Sequence, residues 1–270
     1  MNTTKLFPQI VTVTETITPE IAREYLKVNF LNRTISKPKA EKHKRAIAAG
    51  KFRHTHQGIG FDWFGNLRDG QHRLTAIAEG EKSVTMQVTR GLDPADVSAI
   101  DTEMRVRSIA DALRLSGNYN STKQAVAVCN LWLAMKGTRA PGQFEIEDFL
   151  NAHSESIAFA LEVGLNHANL KHACVLTMLA AGYESGYGDE LREWAEVVKS
   201  GETSEPWQTS AIRFRDYWMT SRHHGGTALR LEYCQRIFAS MSAWVERRGL
   251  LKLYAKQSID WISSEPKGDQ

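Results

Sequence analysis

Strand and helix signals alternate in short pieces up to about residue 118, and beyond that point no stretch reads as a strand. That asymmetry constrains the fold most, because elements must bury their apolar faces against one another in layers. Val11-Thr-Val-Thr-Glu-Thr-Ile17 alternates as a strand, and Thr18-Pro19-Glu20 follows as cap, first-turn proline and first-turn acid of a helix to about Phe30. A second helix is predicted from about Pro38 to Ala49, stopped by Gly50. Gly58 to Phe64 reads as a strand, Gly65-Asn66 as a turn, Gln71 to Glu79 as a helix ended by Gly80, and Val84 to Val88 as a strand. Asp93-Pro94 opens a short helix, and Ser108 to Leu115 forms one more before Gly117-Asn118 breaks the pattern.

Downstream, the spacing is helical. Ser121 and Gln124 read as a capping box ahead of a helix to about Lys136, and further helical periodicity covers roughly 145–165, 168–184, 188–200, 206–220 and 227–247. The expected fold class is α+β, with a small mixed α/β domain over 1–117, an all-helical domain over 118–262 and a frayed tail over 263–270. Trp194, Trp207 and Trp244 are expected to pack inside the helical half.

The 42% hydrophobic and 24% charged content of the 270 residues is that of a packed protein, not of a disordered one. Cys129, Cys174 and Cys234 are far apart and odd in number, which argues against a disulfide framework and against a CxxC zinc or redox site. No leader-like start is visible, and the longest apolar run, Ala173 to Ala181, is about half of a bilayer crossing. A cytoplasmic protein is therefore expected, in a host's cytoplasm if phage-encoded, with no membrane partner. No metal site is expected either, since adjacent imidazoles at His223-His224 point to different sides.

The net charge of +3 permits a nucleic-acid partner without demanding one. Its distribution says more. From Arg33 to His56 there are eight Lys or Arg residues against the single acid Glu41. Lys37, Lys39, Lys44, Arg45, Lys51 and Arg53 are the candidate contacts to DNA phosphates, although such a run is also what a solvated helix face looks like. In the helical half, Arg213-Phe-Arg-Asp-Tyr-Trp218 with Arg222 interleaves cations and aromatics as a strand-binding surface would, but Phe214, Tyr217 and Trp218 also carry core spacing.

The chemistry concentrates at Asp69-Gly70-Gln71-His72-Arg73. A strand running into Asp69-Gly70 and then a helix gathers backbone N–H groups and the positive end of a helix dipole at one point, a ready anion site. His72 and Arg73 in the first turn add an imidazole and a permanently charged guanidinium in reach of phosphate oxygens, and Gly70 leaves room for a phosphate against the backbone. Asp69 reads either as the helix N-cap or as a general base or metal ligand. Asp101-Thr102 reads either as a helix cap or as part of the same site.

Leu67 to Ile77 resembles the Gly-Glu-Arg-Arg box of ParB partition proteins and the Gly-Cys-His-Arg loop of sulfiredoxins, and it contains the five residues that name the DGQHR proteins associated with DNA modification. The order of elements over about residues 8 to 112 is similar too. The resemblance implies a ParB/sulfiredoxin-like nucleotide-binding fold in which Gly70, Gln71, His72 and Arg73 hold nucleotide phosphates, with ATP or another nucleoside triphosphate and Mg2+ as cofactors. The Asp101-Thr102 segment looks like one that follows the last strand in related phage-type proteins. Gln71 stands where sulfiredoxins have their nucleophilic cysteine, so sulfinic-acid reduction by that route is excluded. The fold also includes a free-serine kinase, so phosphoryl transfer lies in its range. Two functions follow as expectations. One is an ATPase or phosphotransferase acting on DNA or a modified base, with Asp69 or Asp101 as its catalytic acid and Asp62 in reserve. The other is a non-catalytic, partition-like DNA-binding regulator switched by nucleotide.

Overall fold

The computed structural model describes residues 5–30, 32, 34–53, 55, 57–95, 108–115, 122–221, 227–255 and 258–263. The chain divides into two compact units, Met1–Arg107 and Ser108–Gln270. The division falls ahead of the break expected at residue 117, because the helix Ile109–Leu115 puts Ala110 and Leu113 into the helical core.

The first unit runs β1 (Val11–Ile17), α1 (Pro19–Leu26), α2 (Lys37–Ala48), β2 (Ile59–Asp62), β3 (Leu67–Asp69), α3 (Gln71–Ala78) and β4 (Val84–Leu92). The sheet order is β1-β4-β2-β3, with β1 antiparallel and β2 parallel to β4, and β2–β3 an antiparallel hairpin. Parallel neighbours need a crossover between them, which the stretch through β3 and α3 supplies. The register of β1 on β4 sorts the faces: Val13 lies opposite Val88 and Ile17 opposite Val84, while Thr12 meets Thr89 and Thr16 meets Thr85 on the other side. The threonine hydroxyls bond across the strands at 2.9 and 3.0 Å. Ile17, Ile59, Phe61, Met86 and Val88 from the sheet then close over Ala22, Ile47, Leu74 and Ile77 from the helices.

The second unit is helical throughout its described residues. It comprises α4 (Ile109–Leu115), α5 (Lys123–Met135), α6 (Gln143–Ala152), α7 (Ser154–Gly164), α8 (Ala173–Glu184) and α9 (Gly188–Ser200). A 3₁₀ turn (Pro206–Gln208), α10 (Thr209–Thr220), α11 (Thr227–Val245) and α12 (Asp260–Ser263) complete it. Cys174 to Gly182 are all buried, so α8 is apolar around its whole circumference and forms the axis on which α5, α7, α9 and α11 pack. No described helix is long and apolar enough to cross a membrane.

Two local expectations change. Thr122, not Ser121, caps α5 through the Ala125 N–H, and Ser121 lies outside the described residues. The helix expected over 145–165 is two helices that meet at His153, whose ring is tied to Glu184 on α8. Trp194, Trp244 and Phe214 are buried at the bundle centre, with Trp207 edge-on to Trp244 at 4.7 Å.

Large aromatics carry a polar atom that must be matched when buried. Trp194 Nε1 donates to Ser240 Oγ at 3.0 Å, and Ser240 Oγ passes its own hydrogen to the Ser210 carbonyl at 2.8 Å. Ser240→Ala strands the Trp194 indole N–H, while the Ser210 carbonyl keeps its place in the α10 ladder. Loss of about 1–3 kcal/mol of unfolding free energy is expected, measured by denaturant titration, with the helical circular dichroism signal of the native protein unchanged.

Candidate functional site

The turn between β3 and α3 gathers the motif residues, but their roles differ from those expected of them. Gly70 occupies the N-cap of α3 with φ 95° and ψ 5°, so Asp69 is the last residue of β3 and does not cap the helix. A Cβ on Gly70 would lie 2.5 Å from Ile59 Cδ1 and 3.4 Å from the Gly58 carbonyl oxygen. The glycine is needed for its left-handed backbone and its packing on β2; the side where a side chain would project is filled and holds no space for a phosphate.

Asp69 and Arg73 are partners across the first turn of α3. Asp69 Oδ1 accepts from the Gly70 N–H at 2.6 Å, and its Oδ2 lies 3.1 Å from Arg73 Nη2. The same Nη2 donates to the Gly58 carbonyl at 2.6 Å, which fastens α3 to the start of β2. Arg73 is 14% exposed and Asp69 42%, so the pair has one dry end and one wet end. Arg73 Nε is buried without a hydrogen-bond partner.

Gln71 and His72 bind the α1–α2 connection. Gln71 is buried, and its Oε1 accepts from Asn29 Nδ2 at 3.2 Å. Asn32 extends that chain, donating to Asn29 Oδ1 at 2.6 Å and to the Leu67 carbonyl at 2.8 Å. His72 Nε2 accepts the N–H of Ser36, the N-cap of α2, at 2.9 Å. That nitrogen is an acceptor here, where a donor toward phosphate was expected.

A residue not singled out in the sequence completes the cluster. His43, on α2, stands edge-on to Phe52 at 6.0 Å. Burial, and then the positive charges of Arg73, Lys39 and Lys42, push its imidazole down to about 4. His43 is therefore neutral at neutral pH, chiefly because it is buried. The basic run contained it, but only the packing of α2 on α3 brings it beside Arg73.

The remaining candidates separate cleanly. Lys37, Lys39, Lys51 and Arg53 are exposed, and Lys44 and Arg45 are half-buried. Lys44 Nζ sits 4.0 Å from both Glu41 and Glu79. Asp62 is fully buried and wholly engaged: it accepts from the backbone N–H groups of Phe64 and Asn66 at 2.9 and 2.8 Å, and pairs with Arg68 at 2.6 Å. It organises the β2–β3 turn. Asp101, Arg105, Arg107, Arg222, His223 and His224 lie outside the described residues. Phe214 and Trp218 are buried in the bundle and Tyr217 packs against it, so the aromatics of the 213–218 stretch belong to the core. Among the described residues no group of three or more His, Cys, Asp or Glu side chains is placed to hold a metal ion.

Compared with protein-family models, with characterised proteins and with solved structures, the chain finds no match.

Two substitutions test this local architecture. Gly70→Ala forces a Cβ into both the left-handed backbone and Ile59, and about 1–3 kcal/mol of stability should be lost; adding Ile59→Val should restore the packing share of that loss only. Asp62 is held below its ordinary value of 3.8: burial opposes this, but the hydrogen bonds from Asn66 and Arg68 outweigh it. A carboxylate lowered on folding stabilises above its unfolded pKa, and that contribution disappears as pH falls through the folded value. The acid limb of the stability profile below about pH 4 should therefore be shallower in Asp62→Asn, whose stability at pH 7 should already be lower by about 3–5 kcal/mol.

Proposed function

We propose that the N-terminal unit binds a nucleoside triphosphate at the start of α3 and transfers or hydrolyses its terminal phosphoryl group, with DNA or a modified DNA base as acceptor. The observation that carries this reading is the under-neutralised guanidinium of Arg73. It is largely buried and faces one half-exposed carboxylate; its Nε has no partner, and its charge adds to burial, with those of Lys39 and Lys42, in lowering His43. A buried cation with a spare donor favours an anion, and the positive end of the α3 dipole lies at the same point. The resemblance of Asp69 to Arg73 to the phosphate-binding turn of ParB-like and DGQHR proteins supports the same ligand.

In this reading the phosphate takes the place of Asp69 on Arg73. The released carboxylate, next to the transferring group, then accepts the proton of an acceptor hydroxyl or of water, or faces a Mg2+ ion that bridges the phosphates. Gln71 and His72 contribute by holding the α1–α2 connection against the turn. A second reading, a nucleotide-switched DNA-binding factor, is favoured by the exposed cations Lys37, Lys39, Lys51 and Arg53 on and just beyond α2, whose first turn carries no acid.

Arg73→Ala should weaken ATP binding about 10- to 100-fold, or about 1.5–3 kcal/mol, in isothermal titration. Asp69→Asn should bind as well or better, since a like charge is gone, yet lose turnover in a phosphate-release assay with base-modified DNA. Nucleotide should also raise the His43 imidazole pKa, followed by NMR, because the ligand offsets the Arg73 charge that adds to burial in holding it down. An Asp69→Asn protein with full turnover would shift the assignment to the DNA-binding factor; an unmoved His43 would remove the anion site from this turn.

A further inference from the structure

We propose that Cys174 and Cys234 form a peroxide-oxidisable dithiol that closes into a disulfide between α8 and α11. Cys174 is the second residue of α8 and Cys234 lies within α11, helices that pack directly on each other. Cys174 Sγ lies 3.7 Å from the Arg230 carbonyl, one turn before Cys234 on α11, and both cysteine side chains are fully buried in one core cluster.

The surroundings assign the two sulfurs different roles. Cys174 sits at the positive end of α8, where a helix dipole favours a thiolate. His172 caps that helix, its Nδ1 accepting the Cys174 N–H at 3.3 Å, and the protonated thiol donates to the Arg230 carbonyl at 3.7 Å. The hydrogen bond from Cys234, opposed by burial and aided by His172 and Arg230, brings the Cys174 thiol down to about 6. Cys234 is pushed up by the same bond and by burial. Cys174 is thus the attacking sulfur and Cys234 the resolving one. Cys129, raised to about 12 by burial, is the unreactive internal control.

The oxidant is a small hydroperoxide, the class best able to enter a buried site through a transient opening. The Cys174 thiolate attacks one oxygen of hydrogen peroxide; the O–O bond breaks, sulfur is oxidised to a sulfenic acid, and hydroxide leaves and takes up a proton. Cys234 then gives up its proton and attacks the Cys174 sulfur, and the hydroxyl departs as water. Two thiols and one peroxide become one disulfide and two waters.

The test treats the full-length protein with hydrogen peroxide, blocks residual thiols with N-ethylmaleimide and digests without reduction. Cleavage after Lys171, Arg192, Arg230 and Arg236 separates the two cysteines. The expected product is one cross-linked pair joining the Cys174 and Cys234 peptides, from a protein that keeps its monomer mass on non-reducing gels and its native circular dichroism, while Cys129 is fully alkylated. Cys234→Ser should leave a sulfenic acid on Cys174 that dimedone traps, and Cys174→Ser should abolish oxidation at Cys234. Separate alkylation of both thiols after oxidation, cross-links between chains, or cross-linking only with loss of helical signal would each overturn the proposal. The wild-type map alone decides it should either variant fail to fold.

Discussion

The left-handed backbone of Gly70 determines where α3 begins, and the start of α3 organises the first unit. With the helix opening at Gln71, its first turn reaches three separate segments: Gln71 bonds Asn29 after α1, His72 bonds Ser36 at the start of α2, and Arg73 bonds Gly58 at the start of β2. None of these segments is a neighbour of the motif in sequence. A shift of the helix start by one residue would rotate each side chain by about 100° and break all three contacts. The glycine therefore acts through the register of the helix rather than through clearance for a ligand.

This arrangement explains why the motif was visible in the sequence while the work of its members was not. Val11 to Ile17, the Thr18 cap, the Gly50 stop and the motif helix were legible because period and punctuation are local properties. The partners of Gln71 and His72 are set by tertiary packing 42 and 36 residues away, and no local signal names them. His43 was hidden for the same reason, as one of several polar residues in a basic run until α2 packs on α3. The break at His153 eluded periodicity because the apolar spacing continues through it, while the contact with Glu184 that fixes the turn is long-range. Thr122 displaced Ser121 as a cap because adjacent hydroxyl residues offer the same chemistry and the backbone chooses between them.

The carboxylates of the first unit divide by how they are solvated. Glu15, lowered by Arg90 and Tyr25 against the opposing effect of burial, ties β1 to β4, and Asp62 is sealed under its own turn. Both exchange water for several fixed donors, and such a group holds its charge by staying where it is. A reacting group has the opposite requirement, since it must be able to leave one partner for another. Asp69 alone among the three keeps a large exposed surface while paired with a buried cation.

That difference bears on how an ion pair and an anion site can share one guanidinium. In the resting protein Asp69 supplies Arg73 with a counter-charge, so the cation remains folded in without a ligand. Under the proposed anion site, exchange for a phosphate would cost little at the Asp69 end, because its carboxylate already faces water. At the Arg73 end the bond from Nη2 to the Gly58 carbonyl does not involve Asp69, so in the proposed exchange the guanidinium would stay oriented while an acceptor of higher charge took the place of the carboxylate. A fully buried pair such as Asp62–Arg68 cannot work this way, because removing either partner leaves an unpaired charge in the interior. An anion site on a guanidinium as buried as Arg73 would thus require the resting pair to be exposed on its acidic side, and Asp69 is the exposed partner of this pair.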